Sequence, residues 1–228
     1  MSSSKIDLKN DSIYSLFIKI AIPSSIGTIF QNLYSVVDSI FAGQMISESA
    51  LAAIGQIFPI YFIIIALGVG LSIGTTALIA NSIGENNMEN SGRIFSQSFL
   101  LSIIVSIIVT LIGINLSSPL IESINNDIDT LNLSLKYINI IFFGSIFIFL
   151  LMSINSSLSA QGDTKSYRNV LIFTFFLNIF LNPLFIFGYG FIPAFGIAGL
   201  AIATIVSQCI GLIYLANKVY CCKLRKFL

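Results

Sequence analysis

The sequence has very little charge. Its 11 Lys and Arg and 10 Asp and Glu make up 9% of 228 residues, against roughly a quarter in ordinary soluble domains. A compact soluble protein of this length could not cover its surface with so few charged side chains. Because 56% of the residues are hydrophobic, the composition excludes an ordinary soluble domain and indicates an integral membrane protein.

Histidine is absent and cysteine is scarce. Without His, the chain lacks the commonest metal ligand and the commonest general base. Its three Cys are Cys209 and the adjacent Cys221 and Cys222, which argues against a disulfide framework or a zinc site. A net charge of +1 gives no support for nucleic-acid binding. With no acid pair in the apolar runs either, we predict that the protein is not an enzyme and uses no cofactor.

Long apolar runs are what the sequence has in abundance. A bilayer core about 30 Å thick requires about 20 mostly apolar residues per helix. The runs are apolar nearly all round, whereas the strands of membrane barrels are short and alternate in polarity. The sequence therefore predicts an all-α membrane protein with six transmembrane helices. The six runs occupy residues 14–42, 52–81, 94–117, 132–160, 169–190 and 197–219.

The basic residues predict the orientation. If the N-terminus lies inside, ten of the 11 Lys and Arg fall on the cytoplasmic side, and only Lys136 falls outside. Cytoplasmic connections of membrane proteins carry this excess of Lys and Arg. We therefore expect a multi-pass protein of the cell (inner) membrane with both termini in the cytoplasm. The predicted division is a cytoplasmic segment at 1–13, a six-helix transmembrane lobe at 14–219 and a cytoplasmic basic tail at 220–228.

One acidic residue, Asp38, lies deep in an apolar run. Gln31 and Ser35 precede it by seven and three residues, so all three share one face of a helix. An ionisable residue inside a membrane span is costly and indicates a functional site. A poorly solvated carboxylate can exchange a proton near neutral pH or bind a small cation. The alternative is an Asp near the helix end that reaches water or caps the following loop.

Polar side chains also interrupt the fifth and sixth runs. Asn178 and Asn182 lie one turn apart, and Pro183 removes an N–H so that a backbone carbonyl is left free. Such oxygens suit a dehydrated cation, and the alternative is hydrogen bonding between helices. Thr204 and Gln208 also lie one turn apart, although Thr204 could instead bond back to its own helix.

Small and polar residues in other runs suggest helix packing and a cavity. Glycines permit close approach of helices, so we expect tight packing at Gly70, Gly74, Gly196 and Gly199. The fourth run carries polar residues that could line a wet cavity near its cytoplasmic end or lie at an interface. These are Asn155, Ser156, Ser157 and Ser159.

In order and spacing, these residues resemble the multidrug and toxic compound extrusion (MATE) family of secondary transporters. The family has twelve helices in two similar lobes around a central cavity, and this chain resembles the N-terminal lobe alone. The resemblance implies that the basic tail begins the linker between lobes. The matching elements are Pro23, Gln31-Asn-Leu-Tyr-Ser-Val-Val-Asp38, Gly43, Ala50-Leu-Ala-Ala-Ile-Gly55, Gln161-Gly-Asp-Thr-Lys165, Asn178, Asn182-Pro183, Gly196-Ile-Ala-Gly199 and Ala203-Thr204.

The resemblance assigns roles to these residues. It implies that Asp38 binds the coupling ion, H⁺ or Na⁺, with Asn178, Asn182 and Thr204 as partners. If the ion is sodium, its site is at Asp38, Asn178 and Asn182. Some family members have Asp where this chain has Asn182, so the identity of the ion stays open. Pro23 matches a proline at which the first helix is proposed to bend, and Pro183 is a second kink position. The residues expected to line the cavity or support the site are Gln31, Tyr34, Ser35 and Gln208.

The predicted function is export of small organic, often cationic, drug-like molecules by one lobe of a cation-coupled antiporter. The expected partners are the substrate, membrane lipid, and a second six-helix lobe or a second copy of the chain. One alternative is a relative that flips lipid-linked sugars. That alternative is disfavoured because the apolar runs hold few basic residues, with Lys19 and Lys136 both near an end of a run, too few to bind a diphosphate. The other is a truncated lobe that does not transport.

Overall fold

The computed structural model describes residues 12–124 and 127–220 as a bundle of six long helices. All six are long and apolar enough to cross a membrane, which confirms the predicted fold class. The predicted segments at 1–13 and 220–228 lie almost wholly outside the described residues, so the predicted division of the chain stays a prediction. The helices are α1 (Ile13–Phe41), α2 (Glu48–Gly84), α3 (Met88–Glu122), α4 (Ile128–Ala160), α5 (Thr164–Phe187) and α6 (Ile197–Tyr220), with a π-helix (Ala42–Ile46) between α1 and α2.

Four helices begin four to six residues before their apolar runs. Each begins after a polar residue whose side chain accepts a hydrogen bond from a backbone N–H three residues later, which satisfies one of the free donors at the helix start. At the start of α4 the Thr130 hydroxyl and N–H bond to Asp127 and hold the pKa of that carboxyl below its usual range. The turns between helices are therefore shorter than predicted. The capping residues are Ser47, Asn87, Asp127 and Asp163.

Helix α5 ends at Phe187 and not at residue 190, as the apolar run had predicted. The reason is Gly188, whose φ of +73° lies in the left-handed region that favours glycine. A Cβ at this position would collide with the backbone at Ile192. The chain then turns back through an antiparallel bridge between Tyr189 and Ile192 and enters α6.

Helix α4 lies at the centre of the bundle. It packs against α2, α3 and α6, while α5 packs against α1 and α6. Its fully buried side chains include Ile138, Ile141 and Phe149. Helix α1 packs mainly on α5 and meets α2 over only a short stretch, so a cleft opens between α1 and α2. Exposed apolar side chains such as Ile63 and Ile108 cover the outer faces of α2 and α3, as lipid contact requires.

The glycine prediction is correct at one position and wrong at three. Gly199 lies against the backbone of Phe185, so any side chain there would push α6 away from α5. Gly70, Gly74 and Gly196, in contrast, face open space. The close contact of α2 is instead at Gly68, which lies against Met152 of α4. Helix α2 is apolar on nearly every face, so its sequence does not indicate which glycine faces a neighbour.

The two ends of the bundle differ in charge. The α2–α3 and α4–α5 turns lie at one end, near Arg93, Lys165 and Arg168, and we call this the basic end. The opposite end, which we call the acidic end, holds the π-helix and the α3–α4 connection with Asp127 and Asp129. Helix α1 begins at the basic end and reaches the acidic end after Asp38.

Candidate functional site

The Asp38 carboxylate lies inside the bundle and accepts hydrogen bonds from three other helices. Asp38 is only 2% exposed. Its Oδ2 accepts from the Tyr137 hydroxyl of α4 at 2.8 Å and from the Thr204 hydroxyl of α6 at 3.3 Å. Its Oδ1 accepts from the Asn182 amide of α5 at 3.3 Å. The alternative that Asp38 is a helix-end residue that reaches water is therefore wrong.

Asn178 extends this network by one more layer. Its amide donates to the Thr204 hydroxyl at 3.1 Å, and its Oδ1 accepts from Asn182 at 3.2 Å. Thr204 thus accepts from Asn178 and donates to Asp38, so it does not bond back to its own helix. We call these residues (Asp38, Tyr137, Asn178, Asn182 and Thr204) the Asp38 cluster. Asn178 and Asn182 link helices by hydrogen bonds, as one interpretation of the pair predicted, and Asn182 also contacts the carboxylate. The role of the pair as cation ligands stays a prediction.

The fold brings these residues together because they lie at one depth. Asp38 lies three residues before the end of α1, and Asn182 five before the end of α5. Tyr137 lies nine residues into α4 and Thr204 seven into α6. At a rise of 1.5 Å per residue, all four lie roughly 5–14 Å from the acidic end. Residues that are far apart in the sequence therefore form one layer.

The cluster has the chemistry of a site for a small monovalent cation. It carries one formal negative charge, and all the hydrogen bonds described for the carboxylate come from neutral side chains. Binding of one H⁺ or Na⁺ would neutralise it. Carboxylate, amide and hydroxyl oxygens are hard ligands. In the part of the chain that the structure describes, no group of three His, Cys, Asp or Glu could hold a metal ion.

Tyr137 is a member of the cluster that the sequence did not predict. An aromatic hydroxyl near the end of a membrane helix usually indicates an anchor at the lipid–water interface. Tyr137, however, lies nine residues into α4 and is only 6% exposed. The sequence carried no signal for this depth, because the predicted apolar run begins at residue 132 and places Tyr137 only five residues from its start.

The predicted supporting residues lie elsewhere in the interior. Among the described hydrogen bonds, none joins Gln31, Ser35, Tyr34 or Gln208 to Asp38. Gln31 and Ser35 line a cavity of about 310 Å³ between α1 and α2, which we call the cleft cavity. Tyr34 and Gln208, again with Gln31, line a cavity of about 30 Å³, which we call the central cavity.

A third cavity, of about 180 Å³, lies toward the basic end, and we call it the basic-end cavity. Pro23 of α1 and Arg168 of α5 line it. Asn155 and Ser159 of α4 line it too, as the sequence suggested, whereas Ser156 is buried and bonds to a carbonyl of its own helix. Pro183 lies beside Asn182, inside α5 and next to the Asp38 cluster.

Comparisons with known proteins agree with this architecture. Residues 23–184 match the family model described as MatE. The chain is 32% identical over 196 residues to the probable multidrug resistance protein NorM of Thermotoga maritima, with coverage of 85% of this chain and 42% of the relative. It is 29% identical over 197 residues to an FAD transporter of Shewanella oneidensis, with coverage of 86% and 43%.

Solved structures give the same result. One is an outward-facing multidrug resistance MATE family transporter of the MOP superfamily, which matches with a TM-score of 0.87 and 27% identity. The match covers 100% of this chain and 51% of that one. A MATE protein in the bent conformation matches with a TM-score of 0.85 and 28% identity, over 91% of this chain and 45% of that one. The chain therefore spans about half the length, or less, of these relatives.

Proposed function

The chain belongs to the MatE family, and from that premise we propose that it forms one lobe of a cation-coupled exporter of small organic molecules. It is a multi-pass membrane protein, and its relatives are transporters rather than enzymes. The observation that carries the proposal is the buried carboxylate of Asp38, held by three other helices. A membrane protein retains such a group when it binds something there.

Asp38 binds the coupling ion in this proposal. When H⁺ or Na⁺ occupies the carboxylate, the ion competes with the Tyr137, Asn182 and Thr204 donors for the same oxygens. The hold of α4, α5 and α6 on this end of α1 therefore depends on whether the ion is bound. Because α1 meets α2 over only a short stretch, the two helices can move relative to each other without breaking a large interface between them. Ion occupancy thereby biases the width of the cleft between α1 and α2.

The cleft cavity is where we place the organic substrate. Phe58, Phe62 and Ile65 line it on the α2 side, while the amides of Gln31 and Asn32 line it on the α1 side. Aromatic rings with a few polar groups suit drug-like molecules, and ring faces attract organic cations. Among the described residues that line it, none is basic, which argues against a lipid-linked diphosphate as substrate.

We further propose that a second six-helix unit covers the cleft, either another lobe or a second copy of this chain. The cleft lies between α1 and α2 at the surface of the lobe, and the solved relatives are about twice as long as this chain. Chemical crosslinking in native membranes should therefore yield a species of about twice the mass of one lobe. A monomer alone would contradict this part of the proposal.

The basic end is the cytoplasmic end in this proposal, in the inner membrane, because ten of the 11 Lys and Arg favour that side. Single cysteines at the two ends test it, after Cys209, Cys221 and Cys222 have been replaced. A thiol reagent that cannot cross the membrane, added to intact cells, should label Asp129→Cys and spare Glu85→Cys. Labelling of Glu85→Cys from outside would reverse the orientation.

The central test is Asp38→Asn. The change removes the charge and keeps the shape, so we expect insertion to persist and gradient-driven efflux to be lost. The matched control is Asp163→Asn, the same change at a helix cap, where Asn and Asp are equally suitable. Efflux of a fluorescent organic cation is measured in vesicles under an imposed H⁺ or Na⁺ gradient, together with any second unit that crosslinking finds. Undiminished coupled efflux by Asp38→Asn would refute the role of the carboxylate.

A further inference from the structure

The central and basic-end cavities lie next to each other in the lobe and share lining residues. Gln31, Met152 and Tyr167 line both cavities. The basic-end cavity lies beside the start of α5, between Pro23 and Arg168. Together the two cavities follow α1 from Pro23 to Tyr34, one turn before Asp38.

Three buried polar atoms along these cavities have no described partner that meets both the distance and the angle of a hydrogen bond, although Thr174 lies near the Tyr34 hydroxyl and Tyr61 lies near Gln208. They are the Tyr34 hydroxyl and the Gln208 Oε1 beside the central cavity, and the Thr164 Oγ1 beside the basic-end cavity. Tyr34 is 5% exposed and Thr164 is 7% exposed. Buried polar atoms are nearly always paired, and the usual partner that is not a protein group is an ordered water molecule.

The cavities have room for such water. A site needs roughly 10–15 Å³ of this kind of volume and two to four polar partners to hold one water molecule. The central cavity has about 30 Å³, and Gln31, Tyr61 and Thr174 add polar atoms to those of Tyr34 and Gln208. The basic-end cavity is larger, at about 180 Å³, and is lined by more polar side chains.

We propose that these two cavities form a water-filled proton route from the basic end to Asp38 within a single lobe. The route rests on the proposed function, because it gives the coupling carboxylate its own access to that end of the membrane. The distance from Pro23 to Asp38 is 15 residues of α1, or about 22 Å. The polar residues of α1 that follow this line are Ser24, Thr28, Gln31 and Tyr34.

The dimensions favour a proton over a hydrated metal ion. The central cavity accommodates one or two water molecules, which is too few to keep the hydration shell of Na⁺. A proton needs only a connected line of groups that both donate and accept hydrogen bonds, and water, Tyr and Thr hydroxyls do so. Asp38 itself lines neither cavity, so the route includes one transfer across the turn of α1 between Asp38 and Tyr34. In that step the neutral Asp38 carboxyl gives up its proton and becomes a carboxylate again, the central-cavity water accepts a proton, and an equivalent proton leaves at the basic end.

Hydroxyl-radical labelling by an X-ray pulse tests for this water. The full chain in lipid nanodiscs is irradiated, and oxidation of single tyrosines is followed by mass spectrometry. Tyr34 and Tyr137 form a matched pair, because they are 5% and 6% exposed but only Tyr34 lines the central cavity. Water generates the radical locally, so we expect Tyr34 to be oxidised at least about five-fold faster than Tyr137. Equally slow oxidation of both would overturn the route.

A second experiment tests access from the basic end. With the native cysteines replaced, Thr164→Cys places a thiol beside the basic-end cavity, which is large enough to admit a small reagent, and Ser98→Cys places a similarly buried thiol at the packed interface of α2, α3 and α4. A small cationic thiosulfonate applied at the basic end should modify Thr164→Cys and spare Ser98→Cys. Protection of both would overturn the route. Neither experiment measures transport, so loss of the coupling role in the Asp38→Asn test would be distinguishable from loss of the route.

Discussion

Two regions of this lobe bury polar side chains between helices, and they do so in different ways. One is the Asp38 cluster. The other, which we call the hydroxyl interface, joins α2, α3 and α4. There Thr75 pairs with Ser98 at 2.7 Å, Ser98 lies 3.4 Å from the Ser153 hydroxyl, and Ser72 donates to the Met152 carbonyl at 3.1 Å. Both regions are almost completely buried.

The two regions differ in whether their hydrogen bonds involve an ionisable group. At the hydroxyl interface every group is neutral, and its partners are other hydroxyls or backbone carbonyls. No change of charge is available there, so the interface can only hold helices together. In the Asp38 cluster, side chains from three helices donate to one ionisable group. Burial of polar atoms in a membrane bundle therefore does not by itself indicate a binding site. The stronger indication is that donors from several helices converge on one group that can bind an ion.

The largest contrast should come from adding a second acid to each region. Asn182→Asp places a carboxylate where the amide nitrogen now lies 3.3 Å from Asp38 Oδ1, and two like charges there require a cation or a proton between them. We expect a variant whose thermal unfolding midpoint rises by several degrees with added Na⁺ or at lower pH. Ser98→Asp has no such oxygen partners, and a charge inside the membrane costs roughly 2.5–3.5 kcal/mol.

Ser98→Asp should accordingly insert poorly at any salt concentration, provided that the pH is high enough for the new Asp to be ionised. Membrane yield and thermal unfolding in detergent measure both variants. A midpoint for Asn182→Asp that does not respond to cations or to pH would show that the Asp38 cluster is not a cation site.

A smaller contrast should come from removing one hydroxyl from each region. Tyr137→Phe deletes the shortest bond to Asp38, 2.8 Å, and hydrogen bonds to charged groups contribute about 1.5–3 kcal/mol. Because this donor competes with the ion for the same oxygen, we expect the half-saturating ion concentration for efflux to fall by about ten-fold or more. Ser153→Ala is the control and should leave that concentration unchanged. An unchanged value for Tyr137→Phe would remove Tyr137 from the ion site.

The sequence predicted the six helices on physical grounds, and it marked four of the five cluster residues as unusual in a membrane span. The family resemblance then grouped those four. Apolar runs of this length cross a bilayer as helices. Asp38, Asn178 and Asn182 belong to residue types that are rare inside a membrane span unless they have a role there. Tyr137 was not predicted because tyrosine is common at membrane boundaries. Its depth in α4 became visible only in the fold.

Helix facing and helix boundaries could not be predicted as well. Helix α2 is apolar nearly all round, so periodicity could not show that Gly68 faces α4 while Gly70 and Gly74 do not. Hydropathy places the start of a helix at its first apolar residue. The actual start is set by a cap such as Ser47 or Asp163, several residues earlier.

The smallest effect should come from the hydroxyl interface alone. Thr75→Val keeps the shape of the side chain and removes its 2.7 Å bond to Ser98. Hydrogen bonds between membrane helices average about 0.6 kcal/mol, because the unfolded chain in the membrane also finds partners. We expect Thr75→Val and Ser98→Ala each to lower the free energy of unfolding by that order, with a coupling of similar size in a double-mutant cycle. Gradient-driven efflux should be unaffected in all three variants. If Thr75→Val reduced ion-coupled efflux as strongly as Asp38→Asn, without loss of membrane yield, the hydroxyl interface would be part of the transport mechanism and the distinction between the two regions would be wrong.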